Sequence, residues 1–328
     1  MLKVRETLSF LIPVIALGVL LGFMAGCEEA KTEKNKAIIE RWLELWNMGD
    51  LAIADEIFAT DFVSHIPQFP NVNDLESYKG EVIKTGTDVP DFHAILEDMV
   101  AEGNKVAGRF TATGTMQPAG VQYTNTWITI FRFAGGKIVE QWWHFDMLGV
   151  LQQLGAMPPM PGGPPAMQRA APEDFVWSAP SDVTGDRGAP EANKALVLRE
   201  FEAWNQGDLD ALMTVLDEIY AAEFVYHDPS RPHVIDLASY KQWAAEECLA
   251  PFPDLYMPVE DIIAEGDKVV VRWAFTGTSK AFGKQVTQTG TSIYRIADRR
   301  IVEAWCACDM LGTIQQMGVI PPMGQGEE

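Results

Sequence analysis

The sequence predicts an α+β protein in which one domain is used twice. Three observations predict it. The stretch Asp146-Met147-Leu148-Gly149-Val150-Leu151-Gln152-Gln153-Leu154-Gly155 returns as Asp309-Met310-Leu311-Gly312-Thr313-Ile314-Gln315-Gln316-Met317-Gly318. Within each copy apolar residues first recur at helical spacing and later alternate at strand spacing. Between the copies lies a Pro-, Gly- and Ala-rich stretch that supports neither a helix nor a sheet ladder. Each copy has the length of one domain, roughly 130 residues, and buries its own core. Helices followed by strands give helices packed on one face of a curved antiparallel sheet.

Residues 1–26 read as a signal peptide. Lys3 and Arg5 precede an apolar run from Leu8 to Phe23, and small residues lead to a cysteine in Met24-Ala25-Gly26-Cys27. An uncleaved membrane helix is the competing reading, at the short limit of a span of about 17–25 residues. The last four positions resemble a bacterial lipobox, with Met24 in place of the usual leucine. That resemblance implies cleavage before Cys27, a lipid on Cys27, and an extracytoplasmic, membrane-anchored place in the bacterial cell envelope.

Domain 1 is expected over 33–159, a linker over 160–190 and domain 2 over 191–323. Ile38, Ile39, Trp42, Leu45 and Trp46 mark the first helix, which Gly49 stops, and Asp50 caps the next. Leu196, Leu198, Phe201 and Trp204 lead to Gly207 and Asp208 in the same way. A third helix falls near Leu75 to Thr85, and near Leu237 to Leu249 in the second copy. Val106–Thr115, Gln122–Phe133 and Lys137–Asp146 read as three strands, joined by turns such as Ala134-Gly135-Gly136.

A net charge of −21 without a basic stripe argues against nucleic acid as a partner. The dispersed acidity reads as a solvated surface. With Cys27 lipidated, Cys248, Cys306 and Cys308 remain, an odd number and no disulfide framework. Cys306-Ala307-Cys308 lacks the Cys-x-x-Cys spacing of a structural zinc site, so these thiols read as packing groups. His65, His93, His144 and Asp146 show no helical His-x-x-x-His spacing, and the second copy keeps only His227 and Asp309, so no metal site is expected.

Alternation along the last strand puts Trp142, His144 and Asp146 on one face and Trp143 and Phe145 on the other. In the second copy Trp305, Ala307 and Asp309 share the first face, and Cys306 and Cys308 the second. If the first face is the concave one, each aspartate is partly desolvated beside an indole and suited to acid/base work, with His144 at hand. Each aspartate also reads as the N-cap of the helix that follows, and the two roles are compatible. His65 and His227 end equivalent Phe-Val-x-His strands, where a structural role competes with a pocket role. Arg109 and Arg272 interrupt apolar strands, so they face solvent or counter a pocket anion. His93 is matched by Tyr256, and Trp127 by Gly290, so the two pockets should differ in volume.

Trp-Asn-x-Gly-Asp, Phe-Val-x-His-Asp-Pro and the closing Ile-Val-Glu-x-Trp-x-x-x-Asp-x-Leu-Gly-x-x-Gln-Gln-x-Gly resemble the SnoaL-like polyketide cyclase family of the nuclear transport factor 2-like superfamily. The resemblance implies two tandem cone-shaped α+β barrels, each with an apolar pocket. It implies a cofactor-independent intramolecular aldol closure of a small apolar carbonyl compound such as a polyketide ester. Asp146 and Asp309 would move the proton, and His65 and His227 would line the pockets. Trp142, Trp305, Trp127, His93, Tyr256, Arg109 and Arg272 are the candidate substrate contacts. Two departures stand out: Ile66 replaces the Asp228 of the second copy, and Ala307 replaces His144. The alternative is a carrier that uses the same cones without chemistry. The two repeats are expected to pack sheet to sheet as an internal pseudo-dimer, a span that the linker reaches at roughly 3.1 Å per residue.

Overall fold

The computed structural model describes residues 30–157 and 188–321. The signal segment, Cys27 and most of the 160–190 linker lie outside the described residues. Domain 1 runs α1 (30–48), α2 (Leu51–Ile57), β1 (Phe58–His65), α3 (Leu75–Asp88), β2 (His93–Glu102), β3 (Lys105–Met116), β4 (Val121–Ala134), β5 (Lys137–Phe145) and α4 (Met147–Gln153). Domain 2 repeats the order as α5 (Pro190–Gln206), α6 (Leu209–Ile219), β6 (Tyr220–His227), α7 (Leu237–Trp243), β7 (Val259–Glu265), β8 (Lys268–Thr278), β9 (Gln285–Ala297), β10 (Arg300–Cys308) and α8 (Met310–Met317). A π-helical turn, Ala244–Leu249, extends α7. Among the described residues no helix is long and apolar enough to cross a membrane.

Each domain is a five-stranded sheet, β1-β5-β4-β3-β2 and β6-β10-β9-β8-β7. The long strands pair antiparallel, as expected, while β1 and β6 join the edge parallel to β5 and β10. The repeated sequence motifs hold this frame together. Gly49 and Gly207 end the first helices with φ of +68° and +66°, a conformation that costs a residue with a Cβ. Asn47 exchanges two hydrogen bonds with the backbone of Ala94, at 2.7 and 2.9 Å, and Asn205 does the same with Met257. Asp91 accepts from the amide and hydroxyl of Thr115, both at 2.7 Å, and Asp254 from those of Thr278. The Trp-Asn-x-Gly-Asp, Pro-Asp and Thr-Gly-Thr signatures are therefore brackets between helix, loop and sheet.

The helices cover one face of each sheet and enclose a separate core in each domain. The other faces meet each other. Ile128, Ile130, Val270, Ile293, Trp305 and Ala307 form one apolar cluster drawn from both sheets. Around it the contacts come in matched pairs. Lys105 reaches Asp261 at 2.6 Å while Lys268 reaches Asp98 at 2.8 Å. Lys36 pairs with Glu265 and Lys194 with Glu102, and those two carboxylates also accept the Ala101 and Ala264 amides. Arg109 lies 4.8 Å over the Trp305 ring, and Arg272 lies 4.7 Å over Trp142. At the end of this seam α4 and α8 pack through Leu148, Leu311 and Ile314.

Candidate active site

Each cone encloses a cavity between its sheet and helices, of about 220 Å³ in domain 1 and about 270 Å³ in domain 2. Both approach the size range of small-molecule sites. The side chains of β5 and β10 that line them are Trp143 and Phe145 in domain 1 and Ala304 and Cys306 in domain 2. The face sequence reading assigned to the pocket is the opposite one. Trp142, His144 and Trp305 point to the seam between domains.

This places most of the predicted site residues away from the cavities. His144 is buried at the seam with Nδ1 3.0 Å from Thr291 Oγ1. Burial, helped by the neighbouring Arg272 charge, pushes its pKa down to about 3, so it is a neutral imidazole. His65 stacks on Trp142 and pairs with Glu140 at 2.9 Å, and His227 stacks on Trp305 and pairs with Glu303 at 2.9 Å. Arg109 and Arg272 are the seam cations already described. His93 is exposed at the start of β2, and Tyr256, 55% exposed, lies ahead of β7 in an isolated bridge to Thr276. Trp127 does line the domain 1 cavity.

Asp146 and Asp309 do not line these two cavities. They cap α4 and α8, accepting the Gly149 and Gly312 amides at 2.8 Å each. A Cβ on Gly149 or Gly312 would stand 2.0 or 2.1 Å from the aspartate Oδ2, which explains the Asp-x-Leu-Gly spacing. Asp309 also accepts from Gln68 of domain 1 at 3.1 Å, and burial raises its pKa against those two hydrogen bonds. The N-cap reading of both aspartates holds, and the cavity face is the opposite one for a physical reason. Both faces of β5 and β10 are buried, one by helices and one by the partner sheet, so alternation alone does not say which face is concave.

The buried polar groups on the domain 2 cavity wall are residues without a site role in the sequence reading. Glu200 of α5 is 1% exposed and lines the domain 2 cavity. Its carboxylate accepts from Tyr240 at 2.5 Å, Tyr220 at 2.7 Å and Trp204 at 3.3 Å. Burial raises its pKa, while these donors and the nearby Tyr294 oppose the rise. The three tyrosine hydroxyls are themselves held well above their usual pKa by burial and by the Glu200 charge. Further along the cavity Arg231 pairs with Asp228 and lies 5.0 Å over Trp243. Gln288, Ser292 and Thr313 add neutral polar groups to the wall.

Domain 1 carries Trp42, Phe58, Tyr78 and Phe131 where domain 2 has Glu200, Tyr220, Tyr240 and Tyr294. There Trp42 and Trp46 donate to the Tyr78 hydroxyl at 2.7 and 2.9 Å, and aromatic edges fill the rest. Ile66 and Phe69 replace Asp228 and Arg231. Trp127 stacks on Phe110 at 5.4 Å, whereas Trp273 of β8 covers Gly290, whose Cβ would meet that ring at 2.4 Å. A sequence signal for Glu200 existed. It is a charge on the apolar stripe Val197, Phe201, Trp204 of an amphipathic helix.

The SnoaL-like polyketide cyclase family model matches residues 36–154 and again 195–317. Among solved structures, IdmH of Streptomyces antibioticus is 32% identical over 37% of this chain and 97% of its own, with a TM-score of 0.34. TsrD of Streptomyces laurentii is 24% identical over 38% of this chain and 97% of its own, with a TM-score of 0.36. No match was found among curated proteins. The chain belongs to the SnoaL-like polyketide cyclase family, once in each half.

Proposed function

We propose that domain 2 is the chemically active half and domain 1 an apolar binding half. A small compound with two carbonyl groups enters the domain 2 cavity. Glu200 takes an α-proton, the enolate carbon bonds to the second carbonyl carbon as its C=O π bond opens, and the proton passes to the alkoxide oxygen, a cofactor-independent aldol-type ring closure. The observation that supports this reading is the buried Glu200 carboxyl on the cavity wall beside Tyr240 and Tyr294. A carboxyl raised by burial is a better base near neutral pH than an exposed one. A tyrosine that stays protonated donates to the enolate oxygen that develops. Domain 1 offers the same cone without a buried acid on its cavity wall, which suits retention of an apolar ligand. The lipid at Cys27 would hold both cavities at the bacterial cell envelope.

The test uses acetophenone, a small aryl methyl ketone, in deuterium oxide. Wild type is expected to speed deuterium uptake at the α-carbon. Glu200→Gln is expected to lose about 10²–10⁴-fold of that rate, and Asp146→Asn to keep it. Exchange that survives Glu200→Gln sinks the assignment. The anchor is tested separately by the mass of the N-terminal peptide: a lipid adduct on Cys27 supports it, and an intact Met1 end removes it.

A further inference from the structure

We infer that Cys306 and Cys308 form a dithiolate site for a soft monovalent metal ion, Cu(I), reached through the domain 2 cavity. The two thiols stand two residues apart on β10 and so project from the same face. Both are buried, and their sulfurs and an Asp228 oxygen all lie within 4.8 Å of one another. Cys306 lines the cavity, which gives an ion a route to the pair. The equivalent positions in domain 1 hold Trp143 and Phe145. The thiols are therefore particular to domain 2 and are not a feature of the shared fold.

The surrounding groups select the ion. Asp228 is committed to Arg231, to the Ser230 amide at 2.9 Å and to the Ser230 hydroxyl at 2.6 Å. That leaves two soft sulfurs. Zinc demands about four ligands, whereas Cu(I) is selected by thiolates and is content with two. Binding is written as one Cu(I) plus two thiols giving a copper bis-thiolate and two protons, so the centre carries one negative charge. Arg231 Nη1 lies 3.5 Å from Cys308 Sγ and supplies a cation beside it. A dication would give a neutral bis-thiolate, which gains less from the same guanidinium, and would still lack two of its usual four ligands. The site stands independently of the proton-transfer reading.

The experiment is an anaerobic titration of the reduced full chain with Cu(I) against the chelator bicinchoninate. One retained equivalent is expected, with a sulfur-to-copper charge-transfer band in the near ultraviolet. Cys306→Ser and Cys308→Ser should each abolish retention, Cys248→Ser should not, and Arg231→Gln should weaken it roughly 10–100-fold. No retained equivalent in the wild type overturns the proposal. So does retention in serine variants whose circular dichroism and melting match the wild type, or selective uptake of Zn(II). Where the serine variants misfold, X-ray absorption of the copper-loaded wild type decides: two sulfur neighbours support the site, and nitrogen or oxygen neighbours overturn it.

Discussion

Domains 1 and 2 keep one backbone and exchange their interiors. Where domain 2 buries Glu200 among three tyrosines, domain 1 buries Trp42 against Phe58, Tyr78 and Phe131. Where domain 2 places an Arg231–Asp228 pair, domain 1 places Phe69 and Ile66. The exchange is concerted. A buried carboxyl is tolerable only where its lone pairs are met by donors, so Glu200 comes with the added hydroxyls of Tyr220 and Tyr294, while the Tyr240 position keeps its tyrosine in both domains as Tyr78. A cone of this kind therefore has at least two self-consistent fillings, one aromatic and one polar.

The sharpest way to break this comparison is to move one member alone. Trp42→Glu should destabilise domain 1 by about 3–5 kcal/mol in urea unfolding, because a large ring is lost and Phe58 and Phe131 lack the hydroxyls of Tyr220 and Tyr294, leaving Tyr78 and Trp46 as the donors at hand. A cost under about 1 kcal/mol would mean the fillings are interchangeable piece by piece. Trp127→Gly, which imports Gly290 without Trp273 to cover it, should cost about 3 kcal/mol and admit a larger apolar probe to the domain 1 cavity.

Glu200→Gln should cost about 1–2 kcal/mol at pH 5, where it disturbs the hydroxyl cluster. The sign of its pH dependence follows from the raised folded-state pKa. The wild type's extra stability is present below the unfolded value and is lost as pH rises through the folded one. The gap between wild type and variant should therefore narrow as the medium becomes more alkaline, and a widening gap would mean that the carboxyl is stabilised as an anion. His144 titrates in the other direction. Its folded pKa of about 3 lies below the 6.5 of an unperturbed histidine, so its contribution is complete above pH 6.5 and lost as pH falls toward 3. His144→Ala should cost about 1 kcal/mol at pH 7.5. It should also remove an acid sensitivity of at most about 1.4 kcal/mol per pH unit in that window. The smallest effect is expected for His65→Gln, about 0–1 kcal/mol, since its pair with Glu140 is half exposed and screened by salt. A loss of cavity ligand in that variant would return His65 to the site.

Much of this frame was legible in the sequence. Asp50, Asp208, Asp146 and Asp309 do cap the helices they precede. The three long strands also fall where alternation put them. β2 was not seen, because a bulge between Leu96 and Asp98 breaks its two-residue period and Glu97 and Asp98 dilute its apolar face. Glu200 was passed over because a charge on a helix is usually solvated, and only the position of its neighbours shows that this one is not. The inverted face of β5 has the deepest cause. One strand's pattern records that both faces are buried, but which neighbour buries which face is a property of the assembled pair of sheets.

The seam carries a code for who may pair with whom. His144 meets Thr291, while Ile128 and Ala307 share the apolar cluster. Two copies of domain 1 joined in this way would set each His144 against Ile128, stranding a buried imidazole. Two copies of domain 2 would set each Thr291 against Ala307, stranding a hydroxyl. Only the mixed pair satisfies both positions, so the seam rejects like-with-like association and recognises its own other half. A symmetric homodimer must repeat every substitution across its axis. Fusion of the two halves into one chain lifts that obligation, and the two cavities have been free to diverge behind a seam that still keeps them together.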